Sequence, residues 1–171
     1  MARWNSFPHN STDYSYDGNH LQESWPGLHL GDCVEFPDAD WVEQVLDSSP
    51  GATPESFDGD FSSLAEAIQD AWRCFHSGDF QGAVSKSEQC GQLAHAAANK
   101  AEGIYATYLE PQESKQQARF MAAIARAEAA IEILPDDPNS HYFHAFNLGR
   151  YSQSISVVKA LSQGIGGKIQ T

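Results

Sequence analysis

The chain of 171 residues has room for one domain with a real core, or a domain plus a tail. Its formal net charge of −13 works against a phosphate backbone, so nucleic acid is not an expected partner. Three cysteines with no CxxC pair argue against a disulfide framework and for a reducing compartment. No run approaches the roughly 20 apolar residues of a membrane span, and MARWNSFPHNSTDYSYDG holds no apolar signal segment. The expected protein is soluble and cytoplasmic, without membrane contact.

The acidity is uneven. Residues 1–60 hold twelve acidic side chains against one basic one, Arg3, whereas residues 61–171 hold eleven against nine. The N-terminal third is therefore a solvated acidic extension, or a segment that meets a basic partner. Residues 1–24 are polar and without period, which predicts disorder or loose wrapping. Residues 25–37, WPGLHLGDCVEFP, predict an irregular segment that docks Trp25, Leu28, Leu30, Val34 and Phe36. Asp38 or Asp40 is placed to cap a short helix near 39–47 that buries Trp41, Val45 and Leu46. With two tryptophans, 25–46 is expected to pack on the rest of the chain; the alternative is that it anchors a partner. SSPGATPESFDGD is loop by composition.

From residue 61 the pattern is helical, and about six helices are expected. Ser63-Leu-Ala-Glu66 has the capping-box spacing, and Leu64, Ile68, Ala71 or Trp72, and Phe75 stripe a helix over 63–77. Gly78 closes it and Asp79 opens a second, lined by Phe80, Ala83, Val84, Ser87, Cys90 and Ala94 to about 95. Asn99 caps or interrupts the third, marked by Ala101, Ile104, Tyr105 and Tyr108 and stopped before Pro111. The fourth spans 112–134 with Phe120, Ile124, Ala127, Ile131 and Leu134 on one face, and Pro135 ends it. Asp137 then caps a fifth, with Pro138 at its first position and Tyr142, Ala145, Phe146 and Gly149 as its stripe. A sixth, over 152–163, shows Ile155, Val158 and Leu161. No segment alternates strictly with β-branched enrichment, so no sheet is expected.

Catalytic chemistry has little support. No serine lies in a G-x-S-x-G context, and GIGGK lacks the spacing of a phosphate loop. His141 and His144 are three apart, so both imidazoles can reach one metal. A site needs further ligands, and no Glu or Cys sits one turn away, so packed helix histidines are the expected role of the pair. No catalytic residue, metal site or cofactor is therefore assigned, and the chain is not expected to be an enzyme.

The helical body resembles the tetratricopeptide-repeat family. In AWRCFHSGDFQGAV, Ala71 and Ala83 take the small positions, Gly78 the turn and Phe80 the following aromatic. In ARAEAAIEILPDDPN, Ala130 and Pro135 take the closing positions, and in HYFHAFNLGRY, Ala145 takes the small position of a third repeat. The 34-residue period of that family is not kept. WPGLHLGD, ANKAEGIYATYLE and HYFHAFNLGRYSQSISVVKALSQGIGGKIQ are similar to a bacterial group of such repeat proteins, in which the chain continues with another helical pair. Ending at Thr171, this chain is expected to have an uncapped C-terminal end able to self-associate.

The resemblance implies an all-α, right-handed array of antiparallel helix pairs over 61–171, behind an irregular acidic extension over 1–60. It implies a non-catalytic scaffold that holds a protein or peptide on its concave face. Carried over by position, that face includes Ile68, Trp72, Phe75 and His76 from the first repeat and Asn139, Tyr142, Phe146 and Arg150 from the third. Core packing is the competing role for Trp72 and Phe75, and a solvated helix-end charge for Arg150. The alternative function is binding of a metal or small ligand through His141 and His144.

Overall fold

The computed structural model describes residues 3–155, and among them every regular element is helical. The order is α1 (His20–Leu28), α2 (Ala39–Ser48), α3 (Phe61–His76), α4 (Phe80–Gln89), α5 (His95–Tyr108), α6 (Glu113–Ile133) and α7 (Pro138–Gln153), with short 3₁₀ turns at Ser11–Tyr14, Pro50–Ala52 and Gly91–Ala94. Among the described residues no helix is long and apolar enough to cross a membrane.

Local chemistry sets most of these boundaries. Asp79 opens α4 by accepting from the Gly82 N–H, and Asp137 opens α7 by accepting from the Asn139 and Ser140 N–H groups. Pro135 follows α6, whose last residue is Ile133. Asp38 caps α2 through the Trp41 N–H. The expected Ser63 cap of α3 is replaced by Asp60, which accepts from the Ser62 and Ser63 N–H groups and from the Ser63 hydroxyl. The helix thus begins before Ser63, because the Asp60 carboxylate already satisfies free N–H groups of its first turn.

Three expectations for the helical body change. The second helix does not reach 95: Cys90 leaves α-helical geometry, Gly91 takes φ +61°, and a 3₁₀ turn leads into α5. Asn99 neither caps nor interrupts; it is fully buried inside α5, where its Oδ1 accepts from Arg126 Nη1 at 3.2 Å. The fifth helix runs on to Gln153, so no break falls at 151. Most of the expected sixth helix, the GIGGK segment and the C-terminal end lie outside the described residues.

Consecutive helices pack on one another from α3 to α7, and α5 also packs on α3 and α7. Ala71, Ala83, Ala97, Ala98, Ala101, Ala123, Ala127 and Ala130 are all fully buried, which lets the helix axes approach closely. Ala145 is only half-buried; Phe143, Asn147, Leu148 and Tyr151 carry the buried face of α7. Helix α7 lies tight against Gly103 of α5, where any Cβ would fall on Asn147 Oδ1 and within 2.9 Å of Phe146 Cε1.

The N-terminal extension departs most from expectation. Its first residues are docked rather than loose. The Trp4 ring sits 4.3 Å from Tyr105, with the Arg119 guanidinium 3.9 Å above it. The Asn5 N–H donates to Tyr105 Oη and the Asn5 side-chain amide to the Leu109 carbonyl, both at 2.8 Å. Phe7 covers Gly78, whose φ of +84° and missing Cβ make the space. Residues 20–28, expected as polar tail and irregular segment, form α1 even though Pro26 lies inside it. Leu21 and Trp25, one turn apart, are its two buried residues, and their docking on the body compensates for the missing backbone donor.

Candidate interaction face

The expected binding residues divide into a covered group, a cleft and an open strip. The covered group lies on α3. Trp72 is 1 % exposed, with Trp25 edge-on to it at 5.4 Å and His29 edge-on at 4.6 Å. His76 meets Tyr16, Trp25 and His29, and Phe75 packs against Trp72 and Phe80. The extension is thus seated on the part of α3 that the resemblance assigns to a partner. Polar contacts hold it there. Arg73 Nε donates to the Tyr16 carbonyl at 3.1 Å, and Gln69 Nε2 to the Pro37 carbonyl at 2.9 Å.

At the centre of this contact lies a charge cluster that residue spacing did not reveal. Lys100 on α5 reaches Asp32 at 2.7 Å and lies 5.7 Å over Trp72 and 5.1 Å over Phe75. Asp32 also takes His29 Nδ1 at 2.9 Å. Burial alone would raise the Asp32 carboxyl; hydrogen bonds from His29 and Lys100, with the Lys100 charge, outweigh it and hold the carboxyl at about 2. Burial lowers the His29 pKa, opposed by its bond to Asp32. Burial, then the His29 and Lys100 charges, push His76 down to about 3. Both rings keep a buried Nε2 without a hydrogen-bond partner among the described residues. The cluster is built for neutral imidazoles.

The cleft, about 350 Å³, opens where α2, α3, the Gly91–Ala94 turn and the α6–α7 turn converge. Trp41, Val45, Ile68, Trp72, Leu93 and Leu134 supply apolar walls, and Asn139 stands at the start of α7. His95 Nε2 bonds Asp137 Oδ2 at 2.7 Å on one side. Burial would raise the Asp137 carboxyl, but the His95 bond and charge and two backbone N–H groups bring it below its ordinary value. Asp137 therefore serves both as the cap of α7 and as the anchor of His95. Trp41 and Val45, expected to be buried with Leu46, are half-buried, and Val42 takes the core position instead.

The open strip continues along α7. Asn139, Tyr142, Phe146 and Arg150 recur at three- and four-residue spacing and share one face over about 16 Å, on which Asn139 is buried, Phe146 and Arg150 are half-buried and Tyr142 is exposed. Tyr142 is 44 % exposed and stacks on Phe146 at 6.5 Å with a 14° interplanar angle; the Arg150 guanidinium lies 5.6 Å over Phe146. The cleft touches both Trp72 and Asn139, so it joins the α3 residues to the α7 residues. A second recess, about 400 Å³, lies between residues 3–11 and the α3–α4 turn, and no residue of α5 or α7 lines it.

The chain matches no family model, no curated protein and no solved structure. Its own geometry is what bears on function.

His141 and His144 do not converge on a common point. The His141 ring bonds the Pro135 carbonyl at 2.8 Å and is exposed, whereas His144 is half-buried with Glu128 3.5 Å away. Among the described residues no group of three or more His, Cys, Asp or Glu side chains is arranged to hold a metal. The three cysteines are free thiols: Cys33 is exposed, Cys74 half-buried and Cys90 buried, and burial raises the pKa of the last two.

Proposed function

We propose that the protein is a non-catalytic docking scaffold whose helices stack as in tetratricopeptide-repeat proteins, and that it binds a protein or peptide segment along α7 and into the adjoining cleft. The observation that carries this reading is the run from an apolar cleft to the exposed Tyr142 and the half-buried Phe146 stacked beside it. Half-exposed aromatics beside a recess are the kind of anchor around which interfaces concentrate their binding energy. Trp72, Phe75 and His76 enter the same reading differently, because α1 and the turn after it already cover them. They act from beneath, as the floor on which the extension is held, while Asn139, Tyr142, Phe146 and Arg150 meet the partner.

Selection of displayed random peptides on the full chain tests the reading. The expected result is a shared sequence pattern whose binding falls at least tenfold on the Tyr142→Ser, Phe146→Ser double variant, with its helical circular dichroism retained. Selection that yields no pattern, or peptides held equally by the variant, would remove the α7 face as a binding surface.

A further inference from the structure

We infer that the occupant of the cleft is a basic segment carrying one large apolar side chain. This inference rests on the docking reading above and adds the chemistry of the partner. It stands on two features of the same place: the apolar walls, and the charge of everything around them.

The described residues lining the cleft include Glu35, Asp136 and Asp137 and neither lysine nor arginine. Of these carboxylates, Asp137 is engaged by His95, whereas Glu35 and Asp136 are exposed with no ion-pair partner among the described residues. Helix α2 contributes Trp41, Val45 and Ser48 to the wall at helical spacing. Asp40 and Asp47 are exposed on the flank beside that stripe, so the lip of the cleft is acidic as well. Five of the cations of the helical body are paired away from this rim, and Arg150 stands at the far end of the α7 strip. Arg73 and Lys86 pair with Asp70, Lys100 pairs with Asp32, and Arg119 and Arg126 pair with Glu102. Glu35 and Asp136 thus leave uncompensated negative charge at the mouth of the apolar recess.

Size narrows the occupant further. At about 350 Å³ the cleft is near the lower limit of small-molecule pockets, and its walls offer few unengaged polar groups to orient a ligand. It suits a single aromatic or branched aliphatic side chain. Lysine or arginine residues on either side of that anchor would meet Glu35 and Asp136 and the α2 lip. Such electrostatic pairing at a rim speeds encounter and selects partners more than it adds affinity.

The test uses the full chain and three fluorescein-labelled ten-residue peptides, followed by anisotropy at 50 and 200 mM salt. One has a central tryptophan flanked by two lysines on each side. The second replaces those lysines with glutamate, and the third replaces the tryptophan with alanine. The expected result is saturable binding of the first, at least tenfold tighter than either of the others and weakened by salt. Two exposed-site variants, Glu35→Lys with Asp136→Lys and separately Ser48→Trp, are each expected to weaken the first peptide about tenfold. The first removes the field and the second fills the mouth of the recess. Equal binding of the lysine and glutamate peptides, or a preference for glutamate, would overturn the inference while leaving a docking surface in place. Binding of the alanine peptide as tightly as the tryptophan peptide would overturn the anchor. If no peptide of either charge binds saturably and the double variant at Tyr142 and Phe146 loses nothing in display selection, the docking reading falls with it.

Discussion

Replacing Trp25 with alanine tests whether the extension is a structural part of the molecule. Trp25 is 5 % exposed, stacks on His29 at 3.9 Å, meets Trp72 edge-on, and donates from Nε1 to the Val34 carbonyl at 2.7 Å. Truncating a buried tryptophan costs about 3–5 kcal/mol through lost transfer energy and the cavity left behind. The orphaned Val34 carbonyl adds about 1 kcal/mol if water does not reach it. Residues 16–37 also meet α3 through the Arg73 and Gln69 bonds, so part of the loss appears as local opening rather than global unfolding. Urea unfolding followed by far-ultraviolet circular dichroism gives the global share. Amide hydrogen exchange over residues 16–36 and over α3 gives the local share. The expected sum is at least 3 kcal/mol, with protection lost in α1 and around Trp72 together. A change under 1 kcal/mol with unaltered exchange in α3 would mean that the extension does not rest on α3.

Acidification is expected to loosen the same contact. His76 has a folded pKa of about 3 against an ordinary 6.5, and His29 is lowered too. Protons therefore bind the unfolded or opened chain first. The stability these rings confer is present above about 6.5 and is lost as pH falls from there towards 3. His76 alone gives a slope approaching 1.4 kcal/mol per pH unit in that window. Asp32 adds a further loss below 3.8, as pH falls towards its folded value of about 2. Tryptophan fluorescence titration of the native chain and of His76→Phe checks this; an equally steep profile in the variant would exclude His76 as the source. Lys100→Met removes the cation paired with Asp32, a carboxylate only 5 % exposed, and is expected to cost about 3 kcal/mol in urea unfolding. Restoring stability with the added Asp32→Asn would show that the stranded charge is the cause. Gly103→Ala forces a methyl onto Asn147 and Phe146 and is expected to cost about 1–3 kcal/mol, read as a lowered melting temperature.

The helical body was legible because its punctuation is local. Gly78 with Asp79, and Pro135 with Asp137 and Pro138, mark two helix–helix turns by backbone chemistry alone, and the alanines of α3 to α6 are spaced for close crossings. The extension was not legible for the opposite reason. Helix α1 contains a proline and few apolar residues, so its conformation comes from where Leu21 and Trp25 are buried, which is a tertiary fact. The Asp32–Lys100 pair joins residues too far apart in the chain for spacing to suggest it. Asn99 looked like a boundary because asparagine favours caps; burial beside Arg126 reversed that preference. Periodicity put Tyr142 and Phe146 in the apolar stripe of their helix, whereas Phe143, Asn147, Leu148 and Tyr151 carry its buried face; nothing in the sequence placed the cover over Trp72.

The docking of Trp4 against Tyr105 and Arg119 has a consequence for how the chain is made. Trp4 is synthesised more than a hundred residues before Tyr105 and Arg119, so its seat exists only once they have followed. At about 5–20 residues per second, that interval lasts roughly 6–20 seconds. For its whole length the Trp4 ring has neither Tyr105 nor Arg119 to rest on. This contact therefore closes only after α5 and the start of α6 have both been made.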